Sequence, residues 1–315
     1  MKALVFDGDL SIREVPEPEP TGSEVLIRIV YSAICNTDLE IIKGYMGFKG
    51  IPGHEFVGSV VSPGSPLYGK LVVGEINCPC GHCYLCKTGR PTHCGNRSVL
   101  GISGHPGIFA EFVVLPAENL HVLPENLDPV VAVFTEPLAA AIEIFDQIHI
   151  KPAEEAFIFG AGKLGLLISM VFKLGGTSYK TFDLQDIKIL KGREMGLNIH
   201  QVSSLPETQR AEVCIDCTGS AEGIKLALAH LQPRGRLILK TTVAKTGPID
   251  LNAIVINEFS IIGSRCGPFQ PALNLLADGL INPRPLISQT YNFEDIIDAF
   301  EHAAKPGTMK VLIRH

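Results

Sequence analysis

The chain has no uninterrupted apolar run near the roughly 18 residues that a membrane-spanning helix needs. A helical membrane protein is thereby excluded and a soluble one expected. The start of the chain has little of an address peptide. Only Ala3 to Phe6 are apolar before Asp7, too few for a secretory h-region, so the expected compartment is the cytoplasm. Positive charge is also in short supply. A formal net charge of -6 gives no electrostatic reason to seek phosphate backbones, which argues against a nucleic-acid partner. Internal repeats and low-complexity tracts are missing, and the one proline-rich stretch, Pro16 to Pro20, reads as a rigid surface turn.

A chain of 315 residues with 46% hydrophobic content suits an α/β protein of about two domains, each burying its own core. Its nine cysteines are an odd number, and four of them, Cys80, Cys83, Cys86 and Cys94, stand in the frame C-x2-C-x2-C-x7-C. Two-residue gaps let a tight loop aim successive sulfurs at one centre, and Pro79, Gly81, Gly89 and Pro91 supply the turns. Zinc is the favoured occupant, with a four-cysteine iron-sulfur site as the competing reading. Either way the ion has no open position, so this motif predicts a folded loop and no reaction. Cys214 and Cys217 repeat the C-x-x-C spacing inside VCIDCTGS, which reads as a strand with incidental spacing rather than a redox pair.

Short β-branched and aromatic runs separated by Gly and Pro, at Glu24 to Ser32, Phe56 to Val61 and Phe109 to Leu115, give the first part an all-β texture. The texture changes after Pro137. Leu138 to Phe145 reads as a helix, and from Ala156 strands and helices alternate: AFIFG, Leu164 to Lys173, SYKTFD, Ile187 to Met195, AEVCIDC, Ala221 to Leu231, GRLILK. That alternation predicts a parallel sheet with right-handed crossovers. Gln270 to Asp278 and Phe293 to Ala303 read as helices and Lys310 to Ile313 as a last strand. The expected division is 1–137 with 268–315 as one β-rich domain and 138–267 as the inserted βα domain.

Gly160, Gly162 and Gly165 form G-x-G-x-x-G directly after the strand AFIF and before an apolar helix. The first glycine permits the turn, the second lets backbone approach a pyrophosphate, and the third brings helix and strand together. The phosphates then meet the helix N-terminus at the amides of Lys163 and Leu164. A second strand ends at Asp183, placed to accept hydrogen bonds from ribose hydroxyls and to repel a 2′-phosphate, so NAD is expected over NADP.

Cys35 in CNTD, His54-Glu55 in GHE and Glu136 in TEPLA are ligand types outside the cysteine frame, each weak alone. With the cysteine loop and nucleotide turn in this order, the chain resembles the zinc-dependent medium-chain dehydrogenase/reductase family of alcohol and polyol dehydrogenases. The matching segments are CNTDLE, GHEFVG, CGHCYLCKTGRPTHC, FAEFVV, TEPLA, GAGKLG, IDCTGS and GSRCGPF, over nearly the whole length. The resemblance implies a Rossmann doubly wound sheet inserted in a GroES-like β-rich catalytic domain, with one catalytic and one structural zinc. It implies Cys35, His54 and Glu136 as catalytic zinc ligands, Glu55 close enough to exchange at the metal, and Asp38 orienting His54. It also implies hydride transfer between an alcohol and NAD, with Thr37 accepting the alcohol proton. Where relatives end the proton relay on a His, this chain has Glu40, either a relay end or an exposed carboxylate. Lys188 matches a cofactor-stacking position and Arg265 a cofactor-approaching one, against ordinary solvated or ion-paired roles for both.

The chain departs from the family at Gly69-Lys70-Leu71-Val72, where Gly-Asp-Arg-Val is common, and it is somewhat shorter. The expected partner is a small alcohol or carbonyl compound, with the substrate and the direction left open. A homodimer or homotetramer is expected too, with Ser260 to Gly263 either pairing across a two-fold axis or capped. The rival readings are an aldehyde or ketone reductase of the same fold and a non-catalytic cofactor-binding regulator.

Overall fold

The computed structural model describes residues 1–240 and 249–315, and they divide into two compact units, Met1–Glu136 with Ala272–His315, and Pro137–Pro271. The first boundary lies one residue before the sequence-based one and the second four residues after it. No helix among the described residues is long and apolar enough to cross a membrane.

The first unit is built on the strand Glu24–Ile34, whose alternating side chains bury Val25, Ile27 and Ile29. It pairs antiparallel with Glu55–Val60, with Phe112–Pro116 and with Lys310–Arg314, and so lies at the centre of a seven-stranded sheet. Register brings distant residues together. Ala33 opposes Glu55 and Ile34 opposes Val311, so Cys35, His54 and Lys310 all leave the sheet at one end. Several strands of this unit were not expected, among them the hairpin Lys2–Phe6 with Leu10–Glu14, and Ile287–Asn292, parallel to Lys310–Arg314. Neither Leu10–Glu14 nor Ile287–Asn292 has a fully buried residue, so neither carries the alternation that marks a half-buried strand.

The second unit holds six parallel strands in the spatial order Ile199–Gln201, Ser178–Asp183, Glu155–Phe159, Ala211–Asp216, Leu231–Leu239, Ser260–Gly263. In chain order this is 3-2-1-4-5-6, the doubly wound dinucleotide-binding arrangement. Helices cover both faces, which is why strands such as Glu155–Phe159 are near-continuous apolar runs. Phe157, Phe159 and Phe182 meet with ring centroids 5.2 to 6.5 Å apart at the core. Ser260–Gly263 is one of the two edge strands, with Ile261 exposed on it. Two expected elements shift. Leu231 opens a strand rather than closing a helix, and Phe293–Asp295 is a 3-10 turn before the helix Ile296–Ala303.

Candidate metal centres and dinucleotide site

Cys35 is the N-cap of the short helix Asn36–Ile41, and its amide donates to Asp38 Oδ2 at 2.7 Å. Asp38 is fully buried, and its other oxygen lies 3.2 Å from His54 Nδ1. One carboxylate therefore orders two ligand-type residues that flank the ends of different strands. With Nδ1 turned toward Asp38, Nε2 is the imidazole atom left for a metal. Burial disfavours the His54 imidazolium, but the charges of Asp38 and Cys35 outweigh it and hold the pKa above the ordinary histidine value. Ligand atoms of Cys35, His54 and Glu55 lie within 4.8 Å of one another, a set that fits a divalent ion with a thiolate and an imidazole donor. Thr37 Oγ1 is 3.8 Å from Cys35 Sγ.

Glu136 stands in the first turn of the helix Thr135–Gln147 and is outside that three-residue set among the described residues. Its charge nonetheless reaches Lys310, which the sequence reading missed. Lys310 opens the strand Lys310–Arg314, is 1% exposed, and holds both oxygens of Glu55, at 2.8 and 2.5 Å. Burial alone would lower its pKa; the charges of Glu55, Cys35 and Glu136 raise it above the ordinary lysine value. The available signal was a lysine directly before the apolar run Val311 to Ile313, since a buried ammonium demands an anionic partner.

In the cysteine loop the Sγ–Sγ distances are 3.4 Å for Cys83–Cys86, 3.5 Å for Cys94–Cys80, 3.7 Å for Cys83–Cys94 and 4.0 Å for Cys80–Cys86. Sulfurs about 2.3 Å from one tetrahedral zinc stand roughly 3.8 Å apart, so the four fit one ion. Backbone amides draw three thiols below the usual range, those of His82 and Cys83 on Cys80, of Cys86 on Cys83, and of Cys80 and Asn96 on Cys94. The fourth, Cys86, is pushed up to about 12 by burial and by its neighbours.

At the nucleotide turn Gly160 has φ +100°, and a Cβ there would stand 2.8 Å from Cys217 O. A Cβ on Gly165 would come within 1.8 Å of Gly160 O, whereas one on Gly162 would meet nothing within 4 Å. The first and third glycines are thus required by packing, and the second opens space at the N-terminus of the helix Lys163–Leu174. Asp183 is buried. Its Oδ2 accepts from Ala161 N at 2.7 Å, its Oδ1 from Gln185 N at 2.8 Å, and Lys188 Nζ lies 3.8 Å away. The sequence reading had not foreseen that Asp183 also braces the glycine turn. Cys214 is buried and Cys217 half-buried, and desolvation first of all raises both thiols well above the usual cysteine value.

Residues 21–125 match the family described as Alcohol dehydrogenase GroES-like domain. An L-threonine 3-dehydrogenase of Streptomyces avermitilis is 30% identical, with 99% of each chain covered. The chain belongs to the zinc-dependent medium-chain dehydrogenase/reductase family. A sorbitol dehydrogenase of Halalkalibacterium halodurans is 29% identical over 99% of both chains. A crystal structure of rspB, an alcohol dehydrogenase from E. coli CFT073 complexed with NADH, superposes with a TM-score of 0.91 at 28% identity, covering 100% of this chain and 99% of that one. As a family member the chain is an alcohol or polyol dehydrogenase by class, using zinc and a nicotinamide dinucleotide. Glu40, expected from the resemblance at the relay position, is half-exposed and 2.8 Å from Lys43 Nζ.

Proposed function

We propose that this chain oxidises a small secondary alcohol, polyol or threonine-like amino alcohol with NAD as hydride acceptor, Cys35, His54 and Glu136 holding the catalytic zinc and the four-cysteine loop the structural one. The observation that carries this reading is Asp38, which orders Cys35 through its amide and His54 through Nδ1 in a fully buried setting. Packing alone has no use for that arrangement of thiol, imidazole and carboxylate. When bound, zinc supplies Lewis acidity toward the alcohol oxygen and NAD supplies the hydride acceptor.

The chain's own residues do the rest. Thr37 Oγ1 takes the alcohol proton, and Glu40, already at the solvent boundary beside Lys43, receives it for release. Glu55 is kept on Lys310, which leaves Glu136 as the carboxylate donor. Asp183 favours NAD because a second anion, the 2′-phosphate of NADP, would face a buried carboxylate; Lys188 at 3.8 Å offsets only part of that repulsion. The threonine and sorbitol dehydrogenases among the relatives support a hydroxyl-bearing, polar substrate.

The test is a panel of secondary alcohols, polyols and amino alcohols with NAD and with NADP, followed by NADH or NADPH absorbance, beside elemental analysis. Two zinc ions per chain and alcohol-dependent NADH formation are expected. One ion with no turnover would favour the regulatory alternative.

A further inference from the structure

Among the described residues the ammonium of Lys240 has three close acceptors: Ala140 O at 2.6 Å, Ser264 Oγ at 2.9 Å and Arg265 O at 3.0 Å. Two are main-chain carbonyls and one is a hydroxyl. Such a set fixes backbone positions rather than presenting a charge to a ligand. Neighbouring contacts extend the same joint. Lys240 N donates to Asp216 O at 3.1 Å, and Ser264 N donates to Leu239 O at 3.0 Å. A Cβ on Gly267 would stand 2.0 Å from Ala139 O, so the segment after the strand Ser260–Gly263 lies directly on the helix Thr135–Gln147. Lys240 therefore ties the end of the strand Leu231–Leu239 to that segment and to the helix that carries Glu136 in its first turn.

The place of this joint gives it meaning. All six strands are parallel, so their C-terminal ends form one edge, and a dinucleotide lies across that edge at the switch point between Glu155–Phe159 and Ala211–Asp216. Asp183 ends the strand on one side of the switch point. Lys240, Ser264 and Arg265 follow the ends of the two outer strands on the other side. A ligand with its adenosine ribose at Asp183 and its pyrophosphate at Gly160 to Gly162 must lay its second half toward Lys240.

We propose that Lys240 is a positioning residue for the nicotinamide half of the cofactor, setting the Ser264–Arg265 backbone against which that half docks; this rests on the dinucleotide reading above. Its loss removes one donor shared by these three acceptors and loosens the segment, while the adenosine side keeps its own supports at Ala161, Asp183 and Gln185.

The decisive measurement compares NADH and AMP binding to the full chain, by NADH fluorescence and by competition. Lys240→Met should weaken NADH about tenfold or more while AMP stays within about twofold. Unchanged NADH affinity would overturn the proposal, and so would an equal loss for AMP, which would mean general damage to the sheet. Should Lys240→Met fail to fold, Ser264→Ala decides. Deleting one acceptor should weaken NADH about two- to fivefold with AMP unchanged, and no loss of NADH affinity overturns the assignment. A wild-type chain that binds neither nucleotide overturns the dinucleotide reading itself, a failure seen before any variant is compared.

Discussion

Lys310 Nζ bonds both carboxylate oxygens of Glu55, and each residue is 1% exposed. The two lie 255 positions apart in sequence and meet only because Lys310–Arg314 pairs beside Glu24–Ile34, which in turn pairs with Glu55–Val60. An ammonium in this position offsets the summed negative charge of Cys35, Glu55 and Glu136. It also keeps Glu55, the neighbour of His54 in the chain, turned toward the strand and engaged. A carboxylate held at both oxygens must give up a buried charge-assisted bond before it can serve any other cation.

Removing the lysine leaves Glu55 buried and unpaired. Lys310→Met is expected to destabilise the chain by about 3–5 kcal/mol, because breaking a buried pair from one side strands a charge. Adding Glu55→Gln should restore more than half of that loss, since the stranded charge is then gone. Urea denaturation of the single and double variants gives the comparison. A single variant within about 1 kcal/mol of wild type would show that the pair is solvated in solution.

The cysteine loop is expected to behave independently of the reaction. Cys83 has Sγ neighbours at 3.4 and 3.7 Å, so Cys83→Ser opens the thiolate set. One zinc per chain should disappear from elemental analysis and the thermal midpoint should fall, while Cys35→Ser removes the other zinc and the activity with little change in the midpoint. Equal loss of activity in both variants, at a temperature where both stay folded, would contradict the division of roles.

Local chemistry was legible in the sequence, and long-range pairing was not. Gly160 and Gly165 announced a close turn because only glycine fits beside Cys217 O and Gly160 O. The thiolate loop was legible because its four ligands lie within fifteen residues, Cys80 to Cys94. Asp38 was foreseen beside His54 only through family resemblance, and Lys310 was not foreseen, since nothing near it in sequence reveals a partner at Glu55. The strand Ile287–Asn292 escaped because four of its six side chains are exposed, and so did the second role of Asp183, which depends on where the Ala161 amide points.

That second role sharpens what a change at Asp183 should do. Asp183→Gly removes the carboxylate proposed to disfavour a 2′-phosphate, and with it the acceptor for Ala161 N and Gln185 N. NAD should bind about 10- to 100-fold more weakly, the worth of charge-assisted hydrogen bonds, and the NADP to NAD ratio of kcat/KM should rise. Lys188, no longer paired, is then placed to meet the phosphate. Lys188→Ala in the Asp183→Gly background should therefore abolish the gain for NADP. An unaltered ratio in the first variant would remove Asp183 from cofactor choice.

A pH effect follows from the far end of the same strand that carries Lys310. The ring of His315 packs at a tilt against Phe293 with centroids 5.0 Å apart, its Nε2 is 2.8 Å from Ser32 Oγ, and burial pushes its pKa down to about 3 from the ordinary 6.5. Above about pH 6.5 the ring is neutral in folded and unfolded chains alike, and it imposes no pH dependence. Below that value the unfolded chain takes up a proton that the folded chain refuses until about pH 3, so stability falls by about 1.4 kcal/mol per pH unit from this group alone. His315→Gln, which can keep a hydrogen bond to Ser32, removes the term. Between about pH 6 and about pH 4.5 the variant should lose about 2 kcal/mol less than wild type in denaturant unfolding. Parallel stability curves over that interval would show that the ring is hydrated, and that the strand carrying Lys310 has no acid-sensitive end.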